Sequence, residues 1–273
     1  MTTKIGWING KWGSEKELFI PLLEKGITLG SGIFETILLF KGKPKLFKEH
    51  LERWHQSAKL LNMKQPPSQL FLAPLINEAI ERISLTNGNG VLKLNWSRKD
   101  FIGQGINIPN SNDESNNYYF WLEVNTSQPY FEVITTMISK NEKRNANSLI
   151  SKCKSFGYLQ SIQARHEAKM AGYDDALLLS TNGYMSCGTT SNLIVKRNNE
   201  WLTPHHNSGC LPGTMRQKGL ALGKIKEAEI EGIPKDGDQW LLLNSLSLQP
   251  IQKINDCNLD IYLQPKNFWL SLL

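Results

Sequence analysis

Residues 152–180, KCKSFGYLQSIQARHEAKMAGYDDALLLS, decide the fold class. A helix is predicted from about Tyr158 to Ala171, with Gly172 as its C-terminal stop. DALLLS then reads as a strand, and Thr181-Asn182-Gly183 as the turn that follows. Upstream, FEVITTMIS (residues 131–139) has a β pattern. Downstream, NLIVK (residues 192–196) is strand-like, and Pro212-Gly213 precedes a helix beginning near Thr214. Strands and helices mixed with hairpin-like links indicate an α/β or α+β architecture.

The first half reads in the same way. Residues 4–9 and 33–40 are rich in β-branched and aromatic residues and are predicted strands. FKEHLERWHQSAKLL (residues 47–61) places Leu51, Trp54, Ala58 and Leu61 at helical spacing. Ser68 could cap the next helix, and Pro74 restricts where that helix begins. Asn87-Gly88-Asn89-Gly90 is a turn before the strand VLKLNWS, and YYFWLEV is a further strand after an exposed polar loop at residues 110–117. NTSQPY (residues 125–130) is the linker candidate. Two domains are therefore expected, residues 1–124 and 131–273, which suits a chain of 273 residues.

Composition excludes several classes. Hydrophobic residues make up 40% and charged residues 21%, ordinary values for a globular protein. The N-terminal MTTKIGWING has no apolar run of the signal-peptide kind, and no stretch approaches the roughly 18 apolar residues of a membrane span. A cytoplasmic location and no membrane partner are expected. The four cysteines form no CxxC pair and read as reduced thiols. The net charge of +6 suits an anionic small substrate, and no zinc finger, RNP-like signature or basic helix points to nucleic acid. GxSxG, HExxH, Walker A and Rossmann fingerprints are absent. The five histidines show no metal-ligand spacing, His205-His206 read as exposed, and no metal is expected.

Five segments, in order, carry a resemblance. They are Gly30-Ser31-Gly32-Ile33-Phe34-Glu35-Thr36; His50-Leu51-Glu52-Arg53-Trp54; Asn89-Gly90-Val91-Leu92-Lys93 with Ser97-Arg98; Arg144-Asn145 with Lys154-Ser155-Phe156-Gly157-Tyr158-Leu159; and Leu211-Pro212-Gly213-Thr214-Met215-Arg216-Gln217. Together they resemble the fold-type IV, class IV aminotransferase-like family of pyridoxal-phosphate (PLP) enzymes, and within it the aminodeoxychorismate lyases. The resemblance implies a two-domain, D-amino acid aminotransferase-like fold with PLP at the domain interface, in a homodimer.

Site residues follow from the same resemblance. Lys152 and Lys154 lie two apart and would share a face of a strand, so periodicity cannot choose between them. The family spacing selects Lys154 as the Schiff-base lysine, carried by the C-terminal domain. Gly213, Thr214 and Met215 would form the phosphate turn at a helix start, where backbone N–H groups favour an anion. Arg53, Asn244 and Ser245 would add phosphate contacts, and Thr190 and Ser191 belong to the same cofactor segment. Tyr158 contacts the ring oxygen or is an ordinary core tyrosine. Arg98 and Arg144 are candidates for substrate carboxylates or for structural ion pairs.

Two departures stand out. Cys187 occupies the place of the family's Glu, whose carboxylate keeps the pyridine nitrogen protonated. A thiol is a weak partner, and a buried thiolate without a cation is unfavourable, so a largely unprotonated nitrogen is expected. Lys99-Asp100 and Gln104 replace the lyases' small residues and second arginine. The implied activity is 4-amino-4-deoxychorismate lyase, releasing pyruvate and 4-aminobenzoate for folate synthesis. The alternatives are a D-amino-acid or branched-chain aminotransferase, or a non-catalytic PLP-binding homologue.

Overall fold

A strand that is apolar on both faces needs cover on both, and GIFETILLF is such a strand. The computed structural model describes residues 3–21, 24–99, 106 and 118–273. The chain divides into two compact units, Met1–Gln128 with Cys153–Gly157, and Pro129–Lys152 with Tyr158–Leu273.

The first unit contains β1 (Lys4–Ile8), β2 (Lys11–Gly13), α1 (Lys25–Thr28), β3 (Gly32–Phe40), β4 (Lys43–Pro44), α2 (Phe47–Leu60), α3 (Gln69–Arg82), β5 (Gly90–Arg98) and β6 (Tyr118–Thr126). Among the described residues, six strands form one sheet in the order β2-β1-β6-β5-β3-β4, with antiparallel neighbours. β3 and β5 hold register from Gly32↔Ser97 to Leu39↔Gly90. Leu51, Trp54 and Ala58 of α2 and Leu72, Ile76 and Ala79 of α3 join Ile33, Ile37, Leu92 and Leu122 of the sheet in one core. Pro74 does not mark the start of α3. The helix begins at Gln69, with Ser68 extended at the cap position, and Pro74 lies inside it. Burial of Leu72, Ile76, Ala79 and Ile80 holds the helix through the single backbone bond that a proline removes.

The second unit contains β7 (Ile134–Arg144), α4 (Leu159–Met170), β8 (Asp175–Ser180), β9 (Met185–Gly188), β10 (Asn192–Arg197), β11 (Glu200–Pro204), α5 (Thr214–Ala221), β12 (Lys226–Ala228), β13 (Gln239–Leu243), β14 (Leu248–Ile254), β15 (Cys257–Asn258) and α6 (Pro265–Leu270). Its sheet runs β12-β11-β10-β13-β14-β7-β8-β9 among the described residues, and β9 also pairs with β10 through Asn192↔Cys187. That last pairing closes six of the strands into a barrel. Leu177, Leu193, Trp240, Leu242 and Ile251 form one core cluster. Ala164 and Ala168 of α4 pack with Ala176, Leu178, Cys187 and Cys210 in another.

The expected domain limits need two corrections. β6 continues to Thr126, because Asn125 pairs with Lys4 and Val91 and Thr126 pairs with Gly90. The first unit therefore ends at Gln128, inside the expected linker. The second correction is larger: Lys154 belongs to the first unit, not to the C-terminal one. Cys153–Gly157 forms an extra edge beside β3, with an antiparallel bridge between Ile33 and Ser155. The polar loop at residues 110–117, together with Asp100 and Gln104, lies outside the described residues.

Candidate functional site

Burial separates the two candidate lysines. Lys152 is exposed at the end of a short 3-10 turn, Leu149–Lys152. Lys154 is half-buried, with its Nζ 4.3 Å from the centre of the Phe34 ring. Its carbonyl accepts from the Phe34 N–H at 2.9 Å, and the Phe156 N–H donates to Gly32 O at 2.9 Å. Gly32 makes this approach feasible, since a β-carbon there would lie 2.1 Å from the Phe156 ring. The amine is thus held on a pinned strand, partly out of water and beside an aromatic ring.

In the same unit Glu35 is fully buried and binds two basic groups. Arg53 grips it in a fork, Nε to Oε1 at 2.9 Å and Nη2 to Oε2 at 2.5 Å. His50 Nδ1 lies 2.6 Å from Oε2. Burial opposes ionisation of Glu35, but the Arg53 charge and the His50 hydrogen bond outweigh it and hold the carboxyl at about 2. Burial pushes His50 below the ordinary histidine range, against the Glu35 bond, and the Arg53 and Lys154 charges push it the same way. The neutral ring then donates from Nδ1 to the carboxylate, which can only accept. Arg53 is thus oriented by a carboxylate that sequence reading quoted only as part of a motif.

Arg98 is buried in this unit, and its guanidinium donates to Leu61 O at 2.7 Å, Asn62 O at 2.9 Å and Ser31 Oγ at 3.2 Å. Those bonds tie β5 to the end of α2.

In the second unit, the end of β7, the closing pair of the barrel and the start of α4 gather Arg144, Cys187 and Tyr158. Arg144 donates to Ser161 Oγ at 2.8 Å, Gln160 Oε1 at 3.2 Å and Thr189 O at 3.5 Å. The neighbouring Cys187 sulfur raises the Arg144 pKa above its ordinary value, against burial, and Tyr158 adds a smaller push in the same direction. A guanidinium therefore stands beside Cys187. Ser186 Oγ also donates to Cys187 Sγ at 3.7 Å.

The segment after Cys187 is fixed by a tight turn, Gly188 N–H to Ser191 O at 2.9 Å. Thr190 Oγ1 accepts from Arg165 at 3.2 Å, and Arg165 also forks onto Asp175. Ser191 Oγ accepts from Asn244 Nδ2 at 3.0 Å, while Thr214 Oγ1 and Ser245 Oγ lie 3.3 Å apart. The β13–β14 turn and the N-terminus of α5 thereby meet in a cluster of hydroxyl and amide groups. Gly213 precedes α5 in extended conformation, and a β-carbon on it would come 2.0 Å from Asn192 Oδ1. Met215, by contrast, is buried and packs as a core side chain, so only its backbone can serve an anion.

This donor set suits a phosphate. A helix N-terminus, a glycine that leaves room at the backbone, and Ser191, Thr214, Asn244 and Ser245 supply hydroxyl and amide donors. Sequence reading missed Glu35, His50, Arg165, Asp175 and Asn192 as supporting residues. Glu35, His50, Asp175 and Asn192 stood in motif segments, whereas Arg165 had no such signal.

The profile for amino-transferase class IV matches residues 32–254. An aminodeoxychorismate lyase of Bacillus subtilis is 24% identical over 269 residues, covering 92% of this chain and 87% of that protein. The branched-chain-amino-acid aminotransferase of Escherichia coli is 28% identical over 241 residues, 84% of this chain and 77% of its own. A crystal structure of an Escherichia coli branched-chain amino acid aminotransferase matches with a TM-score of 0.85 at 21% identity, covering 98% and 92% of the two chains. A Mycobacterium tuberculosis chain described as a hypothetical aminotransferase, in its PLP-bound form, matches at 0.81 and 18% identity, covering 98% and 97%. The chain belongs to the class IV aminotransferase family, fold-type IV enzymes whose cofactor is PLP.

Proposed function

We propose that this chain is a 4-amino-4-deoxychorismate lyase with Lys154 as its catalytic residue. The observation that carries the reading is Cys187, a thiol beside the Arg144 guanidinium where the family resemblance expects a carboxylate. A carboxylate there would keep the cofactor's ring nitrogen protonated; a sulfur held by a guanidinium does so poorly. When bound, PLP supplies an electron-withdrawing ring that acidifies the C–H bond beside the substrate's amine. Transamination leans hard on that withdrawal. Loss of pyruvate from aminodeoxychorismate leaves an aromatic ring, so a weaker sink suffices.

The residues divide the work. The Lys154 amine takes the proton from the substrate carbon that bears nitrogen, from a half-buried position beside Phe34. Gly213, Thr214, the Met215 backbone, Ser191, Asn244 and Ser245 are assigned to the phosphate, as is Arg53, which Glu35 orients. Thr190 and Tyr158 support the cofactor segment. Arg144 is assigned as the guanidinium neighbour of Cys187 and not as a substrate anchor.

The test is to supply aminodeoxychorismate, made in place by a synthase from chorismate and ammonia, to protein loaded with PLP. Rapid 4-aminobenzoate formation, abolished in Lys154→Ala, is the expected result. Formation no faster than the spontaneous rate would sink the reading. Cys187→Glu is expected to change lyase turnover by less than tenfold; a gain of orders of magnitude would mean that the thiol merely cripples the site.

A second reading, a branched-chain aminotransferase, is favoured by the 28% identity to the Escherichia coli enzyme. Conversion of bound PLP to its pyridoxamine form by valine, leucine or isoleucine, read from the absorbance spectrum, would establish it instead.

A further inference from the structure

β11 leads from Pro204 into His205, and the chain turns at once into a short 3-10 helix, His206–Ser208. In an extended strand, consecutive side chains point to opposite faces. The turn brings both imidazoles to one side, with ring centres 4.2 Å apart. β12 runs parallel beside β11 with Glu227 in register with Thr203, which delivers a carboxylate to the same place. His205 Nε2 lies 3.5 Å from Glu227 Oε2, and His206 Nδ1 lies 3.3 Å from the same oxygen. All the ligand atoms fall within 4.8 Å of one another.

Those distances are long for charge-assisted hydrogen bonds, which run at about 2.7–2.9 Å. They match the edge of a coordination tetrahedron, about 3.3–3.4 Å for nitrogen and oxygen ligands held at about 2.0–2.1 Å from zinc. The supporting bonds point the same way. His205 Nδ1 lies 2.7 Å from Asn207 Oδ1, an acceptor, which places the ring proton on Nδ1. A longer contact of 3.5 Å from the Asn207 N–H would need the opposite tautomer, and the shorter contact decides. The Nε2 lone pair therefore faces a carboxylate oxygen, an arrangement that a cation between them relieves. A metal-bound histidine whose other nitrogen donates to an oxygen is the usual outer-shell pattern. Arg216 occupies the far carboxylate oxygen of Glu227 and donates to Pro204 O at 2.8 Å, which fixes the orientation of Oε2.

We propose that His205 Nε2, His206 Nδ1 and Glu227 Oε2 form a binding site for a divalent transition metal of the zinc type, with the remaining position open to water. Two imidazoles select zinc-like ions over magnesium or calcium, which prefer oxygen ligands. The His206 side chain is 64% exposed, so the site is reached from solvent. The Arg216 charge beside Glu227 opposes the cation and weakens its binding. A bound metal would pin the short edge strand β12 to the loop after β11, a structural role separate from the chemistry assigned to Lys154.

The experiment is calorimetric titration of chelator-treated full-length protein with zinc chloride at pH 7.5. It is run on a Cys257→Ser background, because Cys257 is an exposed thiol. One zinc per chain is expected, weakened at least tenfold by His206→Ala and by His205→Asn. His206→Ala alters an exposed side chain and leaves the fold intact. Glu227→Gln is avoided, because it would strip the buried Arg216, whose Nε and Nη1 already have no partner, of its ion pair. Absence of zinc binding, or binding unchanged in both histidine variants, would overturn the proposal. So would displacement of the zinc by equimolar magnesium.

Discussion

Glu35 carries two basic partners in an interior where a lone charge would not survive. Its folded pKa lies at about 2 against 4.5 for the free group, so the sign of the linkage is fixed. A carboxyl with a depressed folded pKa contributes stability that is full above about 4.5 and is lost as pH falls from there towards 2. The difference corresponds to roughly 3 kcal/mol. His50 adds to the trend, since a ring kept neutral by burial resists a proton that the unfolded chain accepts below about 6.5. Glu35→Gln is expected to be less stable than the parent by roughly 3 kcal/mol at pH 7, because the Arg53 charge loses its partner. The gap should narrow as pH falls through 4 towards 3. Urea midpoints measured from pH 7 to pH 3 check this, and a gap independent of pH would mean that the carboxylate charge is not what matters. Sequence motifs carry Lys154, Arg53 and the Gly213 turn, but not why Arg53 is oriented: its partner lies 18 positions away on β3. Cys187 was legible as a departure, while its guanidinium neighbour was not, because Arg144 and Cys187 lie on different strands and meet only through the barrel.

The elements that were legible are those with a long period. Leu51, Trp54 and Ala58 place α2 to within a residue, and the apolar run of DALLLS coincides with β8, Asp175–Ser180. Short edge elements were not legible. β12 has three residues and β15 two, and each exists as a strand only through register with a neighbour. Thr190, Ser191, Asn244 and Ser245 stand in turns rather than strands, so their contacts depend on how β9, β10, β13 and β14 come together. At this scale the test falls on the residue that starts α5. Gly213→Ala would drive a β-carbon to 2.0 Å from Asn192 Oδ1, and Asn192 is tied to Leu211 O at 2.8 Å by its own Nδ2. The start of α5 must then shift, and PLP affinity is expected to fall at least tenfold in an absorbance titration of cofactor-stripped protein. Asn192→Ala added to Gly213→Ala removes the obstacle and should restore part of the loss. If the double variant binds no better than the single one, steric conflict with Asn192 is not the reason for the glycine.

Over the whole molecule, the chain enters the second unit at Pro129, returns to the first for Cys153–Gly157, and leaves again at Tyr158. The first unit is therefore discontinuous, and the strip that completes it carries Lys154. The strip is held by the Phe34 and Phe156 backbone bonds to its neighbours and by Phe156, whose ring lies 6.1 Å from that of Phe34 and 5.7 Å from that of Trp121. A linear reading assigns residues 153–157 to the half that surrounds them, because no local pattern announces pairing with a strand 120 residues earlier. Folding of the first unit must accordingly close a long loop before these contacts form, an entropic cost that grows only slowly with length. A fragment ending at Gln128 lacks the strip and leaves Gly32, Ile33 and Phe34 with an uncovered edge. Such a fragment is expected to unfold in urea at a lower midpoint than the same fragment joined through a glycine-serine linker to residues 153–157. Phe156→Ala in the joined fragment should give back most of the gain, roughly 2 kcal/mol for a partly buried aromatic ring. Tryptophan fluorescence reports the transition through Trp121, which the strip touches. Equal midpoints for the two fragments would show that Cys153–Gly157 rests on the first unit without completing it.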